Sequence, residues 1–316
     1  MVRFTVLASG SKGNSSVVSG GHTRILVDAG LSCRELFRRM KLAGEEPDTL
    51  DAIIVTHEHL DHIGGLAVTA RKLGIPVYFT EATHRAWVRW INPRRHMTYA
   101  QWIEQCRRQA AARQAEVVAA VEECDETGPE ATAQDKNPPR QDAPKPDPSW
   151  LPSVQYFQAG CPFQIGDISV SPFTIPHDAA DPVGFVFQAE GVRMAVATDL
   201  GYIPPNVKAQ LKKVDLLLLE SNHDLEMLRD GPYPWSVKQR VLSRVGHLSN
   251  EATAEFLEGS YDGQATYVIL GHLSESNNLP DLARVTAERA LVGRASLLAN
   301  RLMLAGQHEP LSPISF

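Results

Sequence analysis

Thr56-His57-Glu58-His59-Leu60-Asp61-His62 follows directly on the apolar run 52–55. Three histidines and an aspartate within six residues form a dense set of metal-ligand donors. Imidazole and carboxylate together suit divalent ions such as Zn or Mn, and a loop at a strand end can turn several such side chains toward one point. The chain holds only 11 histidines in 316 residues, so this clustering does not follow from composition.

Outward from that loop, short β-like runs alternate with helical stretches. Strands are expected at 2–8, 24–27, 52–55 and 76–79, with helices at 33–41, 65–73 and 82–90. After residue 150 the same rhythm predicts strands at 168–173, 185–189, 194–197, 216–219 and 266–270. Helices are expected there at 206–213, 236–245, 250–257 and 282–292. Both parts read as strand, polar loop, helix, so two similar halves are expected to face one another with polar loops gathered at one edge. The reading divides the chain into a first half (1–98), a helical insertion (99–124), a flexible linker (125–149) and a second half (150–316). The linker holds six prolines, six acidic and three basic residues and no aromatic or branched aliphatic side chain, too little apolar surface to offset its ordering entropy.

A 43% hydrophobic and 22% charged composition is that of a globular protein and excludes collagenous, wholly disordered and disulfide-stapled classes. The net charge of −6 argues against a uniformly basic nucleic-acid-binding surface, though not against a local basic patch. No run approaches the roughly 18 apolar residues needed to span a bilayer, and the first ten residues, MVRFTVLASG, have too short an apolar core for a secretory signal. Cys33, Cys106, Cys124 and Cys161 form no CxxC pair, which points to reduced thiols and a cytoplasmic setting, with no membrane partner.

An HxHxDH segment after a strand resembles the hallmark of the metallo-β-lactamase superfamily. The resemblance implies an α/β fold, the αββα sandwich of two mixed sheets packed face to face with helices outside. It also implies a ligand set for two divalent ions, Zn or Mn. His57, His59 and His177 would take one ion, and Asp61, His62 and His272 the other. Asp199 would bridge, and Asp28 would support the metal-binding loop. Further segments resemble the YycJ, VicX or WalJ group of that superfamily: Ser9-Gly10-Ser11-Lys12-Gly13-Asn14-Ser15, His177-Asp178-Ala179-Ala180-Asp181-Pro182, Glu220-Ser221-Asn222-His223-Asp224, Gly231-Pro232-Tyr233-Pro234-Trp235 and Gly246-His247-Leu248-Ser249-Asn250. The match covers most of the chain outside residues 92–151. It implies a metal-dependent exonuclease that degrades DNA from the 5′ end, linked to bacterial DNA repair. The 22 residues from His177 to Asp199 leave no room for the RNA-gripping arm of the tRNA 3′-end processing enzymes. Likewise the 73 residues from Asp199 to His272 leave none for the extra domain of the β-CASP ribonucleases.

With the ligand positions filled, His247 and Glu220 take a separate role by the same resemblance. A histidine oriented by a carboxylate protonates the leaving oxygen, and its ordinary pKa of about 6.5 suits that task. Asp61 would position the attacking hydroxide. The helix-capping alternative for the segment is that Ser249 or Asn250 begins the helix behind His247. Ser11, Asn14, His223, Ser249 and Asn250 are the candidate substrate-binding residues, and the 9–15 turn could hold a phosphate through backbone donors. Lys238, Arg240 and Arg244, or Arg85, Arg89, Arg94 and Arg95, could follow a DNA backbone. The expected partner is therefore single- or double-stranded DNA at its 5′ end, with a protein partner possible through 99–149 and the oligomeric state open. Two rival functions share the same ligands: a small-molecule metallohydrolase (thioesterase, lactonase or cyclic phosphodiesterase), and a metal-binding regulatory protein without turnover.

Overall fold

The structure, a computed structural model, describes residues 1–92, 147–292 and 300–316. The chain falls into two compact units, Met1–Val88 with Ser149–Phe316, and Arg89–Pro148. Nearly all of the second unit lies outside the described residues. So do the helical insertion expected at 99–124, the linker up to residue 146, and the candidate cations Arg94 and Arg95.

Strands β1 (Arg3–Ala8), β2 (Ser15–Ser19), β3 (Arg24–Val27), β4 (Ala52–Ile54), β5 (Pro76–Phe79) and β6 (Ser153–Tyr156) lie in that order in the first sheet. The second sheet runs in order from β7 (Phe163–Ile165) through β8 (Ile168–Thr174), β9 (Val183–Ala189), β10 (Val192–Ala197), β11 (Leu216–Glu220) and β12 (Tyr267–Gly271) to β13 (Arg301–Leu304). A final strand, β14 (Ile314–Ser315), returns to pair antiparallel with β1. Each sheet begins as an antiparallel meander and continues as parallel strands, β3 to β6 in one and β10 to β13 in the other. The two halves thus repeat one plan that no sequence repeat announces.

Alternation along the strands explains the layers. Met194, Val196, Leu216 and Leu218 face a core shared with Phe4, Val6, Ile25, Val27 and Ile54 of the first sheet. Their neighbours Ala195, Ala197, Leu217 and Leu219 face the helices. A strand buried on both faces reads as a continuous apolar run, which is how Leu216-Leu217-Leu218-Leu219 appears in the sequence. Helices α1 (Cys33–Leu42), α2 (Leu60–Ile63), α3 (Leu66–Leu73) and α4 (Glu81–Ile91) belong to the first half of the chain. Helices α5 (Pro205–Gln210), α6 (Leu225–Asp230), α7 (Trp235–Val241), α8 (Asn250–Gly259) and α9 (Pro280–Leu291) follow. Phe256 and Leu257 of α8 and Ala283, Ala287 and Leu291 of α9 cover the outer face of the second sheet. The αββα sandwich expected from the resemblance is the fold observed.

Two details differ from the sequence reading. The sheets do not divide at the 125–149 segment, since β6 and β14 both belong to the first sheet although they follow it in the chain. Short edge strands find their sheet through non-local pairing, and a two-residue strand carries no pattern of its own. The helix expected at 236–245 ends at Val241. There the chain folds back, His247 N–H donating to Val241 O at 3.0 Å. A side chain at Gly246 would meet that same carbonyl at 2.1 Å. Among the described residues Cys33 and Cys161 are free, and no helix is long and apolar enough to cross a membrane.

Candidate metal centre

Carboxyl ends of the parallel strands point to one edge of the sandwich, the usual place for a site in such sheets. Asp28 follows β3, and residues 56–62 follow β4. Asp199 follows β10, Glu220 ends β11 and His272 follows β12. Asp28, Asp199 and His272 have φ of 60°, 62° and 55°, the left-handed region that non-glycine residues seldom occupy. Such a conformation costs on the order of 1 kcal/mol or more per residue, so the surrounding structure must hold it.

Asp28 organises the loop. Its Oδ1 accepts the Thr56 N–H at 2.8 Å, and its Oδ2 accepts both the Thr56 hydroxyl and His62 Nδ1–H at 2.8 Å. Thr56 Oγ1 in turn stands 3.0 Å from His57 Nδ1. His177 Nδ1 is held by Gly246 O at 3.2 Å and His272 Nδ1 by Glu220 Oε1 at 2.8 Å. Each of these bonds engages Nδ1 and leaves Nε2 for the other contacts of the site: His57 and His272 Nε2 have no partner among the described residues, and His62 Nε2 lies 3.0 Å from the Asn14 amide nitrogen. His59 is turned the other way, its Nδ1 lying 3.2 Å from His177 Nε2.

The donor atoms converge. Donor atoms of His57, His59 and His177 lie within 4.8 Å of one another, as do those of Asp61, His62 and His272, and those of His57, His62 and Asp199. Separations of 3.2 Å (His59 to His177), 3.3 Å (His62 to Asp199) and 3.5 Å (Asp61 to both His62 and His272) match a tetrahedral set. Bonds of about 2.1 Å place tetrahedral donors roughly 3.4 Å apart. Nε2 of His57, Nε2 of His272 and Oδ2 of Asp199 are buried with no hydrogen-bond partner among the described residues. Buried polar atoms are seldom left so, and divalent ions held by these groups would satisfy them. The residues fit a divalent-metal centre.

The electrostatics agree. Burial, with His62 beside it, lowers the His57 pKa well below the ordinary imidazole value. Burial also disfavours charge on His62 and His272, but Asp199 and the neighbouring carboxylates outweigh it and raise both well above that value. Burial would raise Glu220, yet His247 and His272 outweigh it and bring its pKa down to about 2.

His247 borders the ligand atoms, with a donor atom within 4.8 Å of those of Asp199, Glu220 and His272 and its Nδ1 3.8 Å from Asp199 Oδ1, but it differs from them in exposure. Its Nδ1 donates to the same Glu220 Oε1 at 2.8 Å, while its side chain is 20% exposed against 3% for His272. Glu220 Oε2 accepts the N–H groups of Leu200 and Leu248 at 2.7 and 3.2 Å, so the carboxylate cannot swing away.

The candidate substrate-binding residues divide. Ser11 is exposed on the 9–15 turn. Asn14 is buried, with Gly10 N–H bound to its Oδ1 at 2.8 Å, which directs its amide nitrogen to Asp61 Oδ2 at 3.1 Å and His62 Nε2 at 3.0 Å. It therefore orients the Asp61 carboxylate, and Ser9 braces the same side by accepting the His272 N–H at 2.8 Å. Ser249 caps α8 by accepting Ala252 N–H at 3.1 Å, and Asn250 is tied to Ser221 and Asn278 in a buried network. His223, expected to touch substrate, is only 1% exposed. Its backbone pairs with Ser249, and burial lowers its pKa to about 4. Continuation of β11 into a bridge with the α8 cap draws this segment inward. Sequence reasoning passed over Thr56, which links Asp28 to His57, and Asp178, whose Oδ1 lies 3.5 Å from His177 Nε2. Both are direct chain neighbours of ligand positions, and adjacency was the available signal.

Gly30 is a sensitive point. A Cβ there would lie 1.6 Å from Asp61 O and 2.7 Å from Asn14 N, inside the bond that Asn14 N–H makes to Asp61 O. Gly30→Ala is expected to displace Asp61, weaken metal binding, and destabilise the chain by about 1–3 kcal/mol. A calorimetric Tm lower by roughly 3–10 °C and reduced bound metal check it. An unchanged Tm with full metal content refutes the tight approach.

Residues 8–272 match the metallo-beta-lactamase superfamily. The chain is 34% identical to the exodeoxyribonuclease YycJ of Bacillus anthracis over 92% of its own length and 89% of that protein. It is 32% identical to the exodeoxyribonuclease WalJ of Streptococcus pneumoniae serotype 2 (strain D39), over 90% and 86%. Among solved structures the metallo-beta-lactamase fold protein YhfI of Bacillus subtilis is similar, with a TM-score of 0.59 at 14% identity over 98% of this chain and 99% of that one. The chain therefore belongs to the metallo-beta-lactamase superfamily, in the group of its YycJ and WalJ relatives.

Proposed function

We propose that this protein is a metal-dependent exodeoxyribonuclease that removes nucleotides from the 5′ end of DNA with two divalent ions, Zn or Mn. His57, His59 and His177 would hold one ion and Asp61, His62 and His272 the other, with Asp199 as the carboxylate shared by both. When bound, such a pair supplies Lewis acidity at the phosphoryl oxygens and a water of lowered pKa. The chain's own residues do the rest. Asp61, oriented by Asn14, directs the attacking water toward phosphorus. His247 holds a proton at Nε2 for the departing 3′ oxygen, and Glu220 fixes the ring through Nδ1 and balances its positive charge.

The observation that carries this reading is the His247–Glu220 pair at 2.8 Å beside the ligand atoms. A deoxyribose oxygen is a poor leaving group and requires a proton as its bond to phosphorus breaks. The similarity to the exodeoxyribonucleases YycJ and WalJ supports DNA as the substrate.

The test is to offer the purified protein, loaded with Zn or with Mn, end-labelled single- and double-stranded DNA and RNA bearing 5′ phosphate or 5′ hydroxyl. Early release of the 5′-terminal label as mononucleotide is expected. Release first from the 3′ end refutes the polarity. Turnover of thioesters, lactones or cyclic phosphodiesters with none of polynucleotides refutes the function.

A further inference from the structure

Between Gly231 and Asn250 the chain carries Lys238, Arg240 and Arg244 and no acidic residue, in a protein whose net charge is −6. This stretch is bound to the candidate metal centre. Gly246 O receives His177 Nδ1, Val245 O accepts the Asp178 N–H at 3.1 Å, and His247 closes the segment. A side chain at Gly201 would lie 2.2 Å from the Arg244 carbonyl carbon, so the turn also presses on the loop that follows Asp199.

The cations here have different uses. Lys238 is buried and donates to Arg229 O at 2.7 Å, which anchors α7. Arg240, with 60% of its side chain exposed, donates through Nε to Asp178 Oδ2 and keeps its terminal nitrogens for another acceptor. Asp178 places that guanidinium beside His177. Arg244 is exposed and lies 4.5 Å over the Tyr202 ring. At the start of the same helix Trp235 is 67% exposed, an unusual position for so large an apolar group. Leu242 and Val245, at its other end, are 50% and 43% exposed.

An open indole at the start of α7, with Arg240 near its end and Arg244 in the turn behind it, complements a chain of phosphates with unpaired bases, since Asp178 engages Arg240 through Nε alone. Bases inside a duplex offer no free face to stack on, whereas a single strand does. On the exonuclease reading above, we propose that α7 and the turn behind it, residues 235–246, form the platform that leads single-stranded DNA into the site. Trp235 stacks on a base, and Arg240 and Arg244 hold phosphates.

The experiment compares wild type, Trp235→Ala, Trp235→Phe and Arg244→Ala as metal-loaded full-length protein. Four readouts are taken: kcat and KM on a single-stranded oligonucleotide, binding of a phosphorothioate oligonucleotide as single strand and blunt duplex, turnover of bis(p-nitrophenyl) phosphate, and oligomeric state. Trp235→Ala is expected to raise KM and Kd for the single strand about tenfold or more, with Trp235→Phe recovering most of the loss. Duplex binding and turnover of the small diester stay within twofold. Arg244→Ala lowers the slope of log K against log salt by about 0.7, one phosphate's worth on a single strand. Unchanged single-strand affinity in Trp235→Ala overturns the platform, as does an equal loss on duplex or on the small diester. A dimer dissolved by Trp235→Ala with DNA affinity intact overturns it too, because the patch then covers a second copy of the chain. A wild type that cleaves the small diester but no DNA defeats the exonuclease reading itself. Wild-type DNA turnover matched by Trp235→Ala defeats only the platform.

Discussion

Replacing His272 by alanine is expected to remove one ion and nearly all activity together, whereas His247→Ala keeps both ions and loses on the order of 10²–10⁴-fold in rate, the usual worth of a general acid. Both rings donate through Nδ1 to the same Glu220 oxygen at 2.8 Å, and both precede Leu-Ser, so neither sequence nor that contact separates them. Their surroundings do. His272 is buried in a left-handed backbone conformation, with Nε2 lacking a partner and 3.5 Å from Asp61 Oδ2. His247 lies at the partly exposed edge of the site. The His247→Ala deficit should shrink on a p-nitrophenyl phosphodiester, whose leaving group departs without a proton. Elemental analysis beside rates on both substrates decides the matter. Loss of an ion in His247→Ala, or equal impairment on both substrates, refutes the proton-donor role.

Asp199→Asn is expected to drop bound metal below two equivalents and bring activity down with it. The Asp199 carboxylate touches both clusters, 3.3 Å from His62 Nε2, 3.9 Å from His177 Nε2 and 3.5 Å from His272 Nδ1. Burial opposes its charge, but His272 and His62 outweigh it and hold its pKa well below the usual carboxylate range. An anion between two divalent ions offsets their mutual repulsion, which a neutral amide cannot do. Asparagine is chosen because it tolerates the left-handed φ of 62° and keeps the shape, so charge alone changes. Asp199→Ala should lose metal as well and also be less stable. Two full equivalents retained in Asp199→Asn refute the bridging assignment.

Local pattern carried much of this protein. The cluster from His57 to His62 is written in consecutive residues, and the strands that present it are apolar runs whose ends coincide with the first polar residue. The run 76–79 is β5, and 216–219 lies within β11. Each depends on side chains a few positions apart, so a linear reading captures it. Non-local pairing decided the rest. That β6 and β14 join the first sheet depends on partners far along the chain. That one Glu220 oxygen serves both His247 and His272 depends on three separate segments meeting. Asn14, expected to meet substrate, turns instead to Asp61 because Gly10 fixes its amide, and His223 is drawn inside by its bridge to Ser249. Residue type and order, with the family resemblance, were enough to pick out candidate donors at the strand ends, and folding brings their atoms within 4.8 Å of one another in groups. Which nitrogen of each ring is tied to the protein, and which histidine is left partly exposed beside Glu220, follows only from the hydrogen bonds that folding brings together.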